Sequence, residues 1–348
     1  MNGSVLSGET RQPLQTAARS ATMRAAFYSR TGPAREVLAV GDLQRPEPGA
    51  GEVLVRVATS GVNPSDVKSR GAQYGARMAH ALIVPHSDGA GVIDAVGAGL
   101  GVERIGQRVW LYDAQFGRSS GTAAEYVSVP AAQAEPLPDN VDFAAGACFG
   151  IPFRTAHRAV TLGGPLQGKS VLVQGGAGAV GHYAVQIAKA LGARVIATVS
   201  NAAKAEHARN AGADHVILYP EGDVPAQVAA LTGGRGADHV VEVDLTRNGV
   251  MLPDIVAPGG SVAVYGSAEF DATIPATRLR VRGVTMHFFR IYGLAPALHR
   301  QMVAELNAML AAGQMISAVG ARFPLSRIAD AHDAVAQGSV IGNVVVEL

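Results

Sequence analysis

Apolar residues follow two different patterns along the chain, and the change between them falls near residue 146. From residue 23 to about 145, short runs alternate in part between apolar and polar positions, with frequent Gly and Pro between them. This pattern is typical of half-buried strands joined by turns. We therefore expect a mainly β domain here. The predicted strands are 23–29, 52–58, 90–96, 108–112 and 124–129.

From about residue 146 to 284, the pattern changes to short apolar runs separated by stretches with helical spacing. The runs are 170–174, 194–199, 215–219, 238–243 and 261–266. Alternating strands and helices predict an α/β fold with a doubly wound parallel sheet. The tail, residues 285–348, is expected to contain helices near 296–312 and 326–337 and a last strand at 344–347. Periodicity alone does not assign this tail to either domain.

The first 22 residues are polar and show no periodicity, so we expect a flexible extension before the first strand. They lack the apolar segment of a secretory signal. A length of 348 residues favours two domains.

Composition excludes several classes of function. A net charge of +1 and 5% aromatic residues give no general surface for nucleic acid. No apolar run reaches the roughly 18–20 residues of a membrane helix. Cys148 is the one cysteine, which rules out an internal disulfide and a four-cysteine zinc site. We expect a soluble, cytoplasmic protein.

The most informative segment is VLVQGGAGAVGHYAVQIAKAL, residues 171–191. An apolar run leads into Gly176-x-Gly178-x-x-Gly181, and a helical pattern follows, which is the context of a dinucleotide-binding turn. The first glycine is expected to permit the turn, the second to admit a pyrophosphate, and the third to pack helix against strand. The helix N-terminus supplies free N–H groups for the phosphates. The predicted cofactor contacts are Gly176, Ala177, Gly178, Ala179, Val180 and Gly181.

The next strand indicates which nucleotide binds. An NAD site carries an Asp or Glu about 20 residues after the glycine motif, for the ribose 2′-hydroxyl. Here the strand ends in Thr-Val-Ser-Asn without an acid, and Ser200 lies at its end. Lys204 follows one turn later and Tyr219 ends the next apolar run, so both are candidates to contact a 2′-phosphate. The predicted cofactor is NADPH.

In addition to these features, the chain resembles the medium-chain dehydrogenase/reductase superfamily and, within it, the zinc-free quinone oxidoreductases similar to zeta-crystallin. The resemblance extends over 23–348. The motifs that carry it are Ser60–Asp66 (SGVNPSD), Asp88–Gly91 (DGAG), Gly106–Val109 (GQRV), Gly121–Tyr126 (GTAAEY) and Gln186–Ala190 (QIAKA).

The resemblance implies a GroES-like substrate domain, residues 23–145 and 285–348, around a Rossmann NADP(H)-binding domain, residues 146–284. It places Asn248, Gly266 and Asn343 at the cofactor, and residues 288–292 along the cleft. It also implies a homodimer formed through edge strands, for which 278–286 is the candidate because it alternates basic and apolar residues.

A metal-free site is expected. In zinc-dependent relatives, the positions that match Asn63 and Ser87 are ligands, and neither an amide nor a hydroxyl is a good zinc ligand. His86 is expected to be a hydrogen-bonded loop residue. Without a Lewis acid, the substrate should accept hydride readily, as quinones and activated enones do.

The candidate catalytic residues are Asn63 and Tyr74, as hydrogen-bond donors to the reduced oxygen. Lys68 is a third candidate, because it stands where zeta-crystallin-like members often have a tyrosine. The predicted function is direct hydride transfer from NADPH to a quinone. An NADPH-dependent enone or enoyl-thioester reductase, and a non-enzymatic NADPH-binding protein, remain open alternatives.

Overall fold

Two large sheets of different kinds organise the chain. The computed structural model describes residues 21–75 and 77–348. The expected N-terminal extension lies almost entirely outside the described residues. The strands are β1 (Thr22–Phe27), β2 (Ala39–Gln44), β3 (Glu52–Val62), β4 (Asp88–Val96), β5 (Arg108–Leu111), β6 (Tyr126–Pro130), β7 (Ala134–Pro136), β8 (Ser170–Gln174), β9 (Arg194–Val199), β10 (His215–Leu218), β11 (Ala237–Glu242), β12 (Val256–Val264), β13 (Thr285–Phe288), β14 (Val319–Pro324) and β15 (Asn343–Glu347).

Helices connect these strands and cover the parallel sheet. They are α1 (Ala34–Val37), α2 (Pro64–Arg70), α3 (Phe143–Gly146), α4 (Arg154–Thr161), α5 (Ala179–Ala190), α6 (Ala202–Asn210), α7 (Val224–Leu231), α8 (Leu245–Asn248), α9 (Leu252–Ile255), α10 (Ala276–Val281), α11 (Pro296–Ala311) and α12 (Ile328–Gln337). None of the helices in the described ranges has the length and apolar character needed to cross a bilayer.

One sheet has six parallel strands in the order β10-β9-β8-β11-β12-β13. All five residues of β8 are buried, as expected for a central strand covered by helices on both faces. From β8 the chain first builds outward through β9 and β10, and then in the opposite direction through β11, β12 and β13. The order therefore reverses between β8 and β11, and ligands of such sheets bind at this point, beyond the carboxyl ends of the strands.

The other sheet has seven strands and is mainly antiparallel, in the order β14-β15-β3-β4-β5-β7, with β6 paired to β3. The C-terminal strand β15 pairs antiparallel with β3, from Val344 opposite Val62 to Glu347 opposite Thr59. The last strand therefore joins the sheet that β3 starts, whereas β1 and β2 form a separate two-stranded sheet.

The segment near residue 280 differs from expectation in two respects. Residues 276–281 form helix α10 instead of an edge strand, with Leu279 buried and Val281 75% exposed. The basic–apolar alternation there is too short to separate a two-residue period from a helical turn. β13 follows, and it pairs parallel with β12 from Thr285 to Phe288. These four residues thus extend the parallel sheet beyond the boundary expected at 284.

Candidate active site

The glycine turn after β8 is shaped by close packing. Gly175 has a left-handed backbone (φ +71°), so it, and not Gly176 as expected, is the residue that permits the turn. A Cβ on Gly176 would lie 2.7 Å from the Cβ of Ala197 on β9. A Cβ on Gly181 would lie 2.1 Å from the carbonyl oxygen of Gly175, which makes glycine necessary for the helix to approach the turn.

Helix α5 starts directly after this turn and points its N-terminus into a cleft of about 330 Å³. A Cβ on Gly178 would meet only the Gly175 oxygen, at 3.4 Å, so the middle of the motif is open enough for a phosphate to approach. Free N–H groups and the helix dipole favour anions there. Of the residues predicted to contact the cofactor, those lining the cleft are Ala177, Gly178, Ala179, Val180, Gly181, Ser200, Lys204, Tyr219 and Asn343.

Three of these residues surround one end of the cleft. Ser200 follows β9, and Asn201 caps α6 by accepting a hydrogen bond from the Lys204 N–H at 2.9 Å. The Lys204 ammonium donates to the Gly338 carbonyl at 3.2 Å, and Tyr219 is 51% exposed. Among the described residues, no Asp or Glu lines this cleft. This end therefore presents a cation and two hydroxyl groups without a carboxylate.

The glycine turn is also tied to the C-terminal part of the chain. The Gly342 N–H donates to the Ala177 carbonyl at 2.9 Å, and Gly178 and Gly342 form an isolated parallel bridge. The Asn343 amide donates to the Ala318 carbonyl at 3.0 Å. Asn343 therefore orders the wall of the cleft that the C-terminal part of the chain forms beside the glycine turn.

Two predicted residues lie in an adjoining cavity of about 500 Å³, which shares Gly175 and Tyr219 with the cleft. The Lys68 ammonium donates to the Ser267 carbonyl at 2.9 Å, 199 residues away. The Asn248 amide donates to the Glu242 carboxylate at 2.8 Å. The hydrogen bond of Lys68 therefore connects the domain of the mainly antiparallel sheet to the domain of the parallel sheet. The hydrogen bond of Asn248 holds the carboxylate at the end of β11.

Gly266 lines neither of these two spaces. A Cβ at this position would lie 2.1 Å from the Val243 carbonyl oxygen, so glycine allows two backbone segments to approach each other. It borders a shallow depression with Tyr265 and Phe288. Its direct role in this structure is backbone packing beside the cleft.

Glu242 is a buried carboxyl group that the sequence reasoning missed. It ends β11 and is inaccessible to solvent, and burial raises its pKa to about 7. Gln174 donates to it at 2.5 Å, as does the backbone N–H of Asp244. The one signal in the sequence was an acid directly after the apolar pair Val240 and Val241, inside the predicted strand 238–243.

Asn63 lines the same cleft from the start of α2, between two buried carboxyl groups. Its backbone N–H donates to Asp66 and its side-chain amide donates to Asp88, both at 2.8 Å. Burial raises the pKa of Asp66 to about 7 and that of Asp88 well above its ordinary value. Asn63 lines the cleft, whereas the two carboxyl groups lie behind it.

Three other residues that the sequence singled out besides Asn63 are His86, Tyr292 and Tyr74. His86 uses both ring nitrogens, towards Ser60 at 2.8 Å and His332 at 2.9 Å. No group of three or more His, Cys, Asp or Glu able to hold a metal occurs in residues 21–75 and 77–348. The Tyr292 hydroxyl donates to Ser65 at 3.0 Å. The side chain of Tyr74 lies outside the described part, so its role stays a prediction.

Comparisons with known proteins agree with this architecture. The family model described as alcohol dehydrogenase GroES-like domain matches residues 49–139, and the one described as zinc-binding dehydrogenase matches 179–312. A quinone oxidoreductase of Homo sapiens is 31% identical over 303 residues, which cover 86% of this chain and 89% of that protein. A phenolphthiocerol/phthiocerol polyketide synthase polypeptide of Mycobacterium tuberculosis is 29% identical over 90% of this chain and 14% of its own length.

Two solved structures resemble the whole fold. The mycobacterial protein Rv1454c in complex with NADPH has a TM-score of 0.83 and 31% identity, covering 94% of this chain and 100% of its own. An NAD-dependent alcohol dehydrogenase has a TM-score of 0.85, with the same identity and coverage. These matches confirm the predicted fold class, a GroES-like domain with a Rossmann doubly wound sheet. The chain therefore belongs to the quinone oxidoreductase family of the medium-chain dehydrogenase/reductase superfamily, and it is an oxidoreductase.

Proposed function

We propose that this enzyme is an NADPH-dependent quinone oxidoreductase that works without a metal ion. The observation that carries the proposal is the composition of the cleft. Ser200, Lys204 and Tyr219 line it without a carboxylate, together with the N-terminus of α5 and the Asn63 amide. A dinucleotide with a 2′-phosphate fits this set of groups, as does an acceptor that needs only a hydrogen-bond donor.

The phosphate end favours NADPH over NADH. A carboxylate at the end of β9 would repel a 2′-phosphate, and Ser200 stands there instead. The Lys204 ammonium makes one hydrogen bond, to the Gly338 carbonyl, so it retains N–H groups for a phosphate. The relative solved with NADPH supports this choice, whereas the NAD-dependent relative shows that the scaffold also accepts the other cofactor.

Each chain residue has a limited task in the proposed reaction. When bound, NADPH supplies a hydride that passes directly to the acceptor. The N–H groups of α5 bind the pyrophosphate, and Lys204 with Tyr219 fixes the 2′-phosphate. Asn63 donates a hydrogen bond to the acceptor oxygen as negative charge develops on it. Water delivers the proton, since Asp66 and Asp88 lie behind Asn63 and do not line the cleft.

Metal independence is the first prediction from this site. Asn63 and Ser87 are poor zinc ligands, and both nitrogens of His86 are engaged in hydrogen bonds. We expect turnover to survive prolonged chelator treatment, and elemental analysis to find well under one zinc per chain. Stoichiometric zinc whose removal abolishes turnover and whose return restores it would contradict the proposal.

Homodimerisation is the second prediction. In the described part of the chain, β13 ends the six-stranded sheet, and Phe288 on it is 64% exposed. An edge strand leaves N–H and C=O groups unpaired, and a twofold partner strand satisfies them symmetrically. Light scattering at micromolar concentration should therefore give twice the chain mass of 35.7 kDa. A mass of one chain across that range would argue against a dimer.

The second candidate function is reduction of an activated C=C bond in an enone or enoyl thioester. The match to a polyketide synthase favours it, because the matched part covers most of this chain. A panel of 1,4-benzoquinone, larger quinones and α,β-unsaturated ketones and thioesters separates the two. We expect the highest kcat/KM with a quinone. A consistent preference for the enones or thioesters would instead identify the second function.

A further inference from the structure

The Asn63 side chain takes part in a capping box with Asp66 at the start of α2, and its amide donates to a second buried carboxyl group, that of Asp88 at the start of β4. Asp88 Oδ2 accepts one hydrogen from the Asn63 amide and another from the Ile151 backbone N–H, both at 2.8 Å. Asn63 and Ile151 line the cleft, whereas Asp88 is inaccessible to solvent. One oxygen atom thus connects two wall segments that lie 25 and 63 residues away in sequence.

The Asp88 carboxyl group packs against the backbone of Gly150. A Cβ on Gly150 would lie 2.0 Å from Asp88 Oδ1, so this oxygen lies directly against the glycine backbone. Oδ1 is buried and has no hydrogen-bond partner. A buried oxygen without a donor destabilises a fold. The carboxyl group therefore contributes little to stability on this side, and its one satisfied oxygen points at Asn63 and Ile151.

A directed chain of hydrogen bonds leads to Asp88 from behind. Arg70 can only donate, and its Nε donates to Nδ1 of His332 at 3.3 Å. His332 must then donate from Nε2 to Nε2 of His86, at 2.9 Å. Burial lowers the pKa of both histidines, so both rings are neutral and each has one donor and one acceptor. His86 therefore donates from Nδ1.

The chain continues through two hydroxyl groups. His86 donates to Ser60 Oγ at 2.8 Å, Ser60 donates to Thr122 Oγ1 at 2.7 Å, and Thr122 donates to the Asp88 carbonyl. A carbonyl can only accept, so the last bond requires the same direction as the first. All these residues are buried, and each hydroxyl has its single proton committed. The chain therefore anchors the Asp88 backbone.

We propose that Asp88 is a positioning residue, which turns the second N–H of the Asn63 amide toward the acceptor oxygen in the cleft. This inference rests on the proposed function, because it assigns Asn63 the task of donor to that oxygen. Asp88 itself touches neither acceptor nor cofactor. Asp88 also holds the Ile151 N–H, and we assign its effect on turnover to the orientation of Asn63.

The test is a double-mutant cycle on kcat with 1,4-benzoquinone and NADPH, using N63A, D88A, D88N and N63A/D88A. D88A should lower kcat about 10- to 100-fold and leave the KM for NADPH within twofold. D88N should retain at least a third of the wild-type kcat, because its amide oxygen accepts the same two N–H groups. The kcat of N63A/D88A should lie within threefold of the kcat of N63A, since the two residues act as a unit.

Two outcomes overturn the proposal. One is a D88A kcat within threefold of wild type, and the other is a double variant that loses the product of both single effects. If D88A does not fold, Gly150→Ala provides the same test, because its Cβ displaces the carboxyl group without removing it. If Gly150→Ala displaces the carboxyl group and kcat does not change, the proposal is likewise overturned.

A crystal structure of D88A with NADPH, beside the wild type, separates this inference from the proposed function. We expect the Asn63 amide to rotate out of its wild-type orientation in D88A. An unchanged amide would show that Asp88 does not position it, whatever the enzyme reduces. Failure of the wild type to reduce any quinone would contradict the proposed function alone, and the crystal comparison would still decide the role of Asp88.

Discussion

Replacing Asn63 with alanine is expected to slow quinone reduction about 3- to 100-fold, the usual range for loss of one oxyanion donor or of precise orientation. The amide lies at the cleft with one N–H bound to Asp88, so its other N–H is the one we assign to the acceptor. The effect should fall on kcat, with the KM for NADPH nearly unchanged. Steady-state kinetics at saturating NADPH measures it.

Asn210→Ala is the matched control for this substitution, because Asn210 is an exposed residue at the end of α6, outside the cleft. It should leave kcat unchanged. A loss of more than about 10⁴-fold in a folded Asn63→Ala protein that still binds NADPH would exceed the contribution of one donor. Asn63 would then be essential to the chemical step, and direct transfer with water as proton source would be wrong.

Replacing Lys204 with alanine should raise the KM for NADPH about tenfold and leave NADH use almost unchanged. A charge-assisted bond between an ammonium group and a phosphate contributes on the order of 1–3 kcal/mol. NADH lacks the 2′-phosphate, so it does not use this bond. Kinetics with each cofactor at a fixed quinone concentration gives the comparison.

Lys189→Ala is the matched control for Lys204. Lys189 is a partly exposed lysine near the end of α5 that pairs with Asp214, away from the cleft. It should change neither KM. An equal rise in the KM of NADH and NADPH in Lys204→Ala would show that Lys204 supports the wall of the cleft, through Gly338, and does not recognise the phosphate.

The parallel sheet was predictable because its strands are apolar on both faces. Buried runs such as 170–174 and 194–199 stand out from the helical stretches between them, and both strands have these bounds in the structure. The segment at 276–288 was not predictable in the same way. Its alternation fits a strand or a helical turn, and contact with the core, through Leu279, decides in favour of the helix.

The candidate site was predictable where its residues are close in sequence. The glycine motif, Ser200 and Lys204 follow from one strand–turn–helix unit and the strand after it, and all but Gly176 line the cleft. Contacts between distant segments gave no signal. Asp88 reaches Asn63 between two antiparallel strands, and Lys68 reaches Ser267 in the adjoining cavity. No local pattern encodes such pairs.

The left-handed turn residue shows the same limit at short range. Gly175 and Gly176 are adjacent, and the motif alone assigned the turn to the second of them. Packing decides otherwise, because Gly176 lies against Ala197 of β9 while Gly175 adopts φ +71°. Packing against β9, which comes later in the chain, therefore determines which glycine adopts the left-handed conformation.

The most direct test of the account is the ratio of kcat/KM for NADPH to that for NADH, measured on metal-depleted enzyme with 1,4-benzoquinone. This one assay tests two claims: that the cleft recognises the 2′-phosphate of NADPH, and that reduction of the acceptor needs no metal ion. We predict full activity after metal removal and a preference for NADPH of about tenfold or more. Equal use of the two cofactors, or loss of activity that only zinc restores, would contradict it.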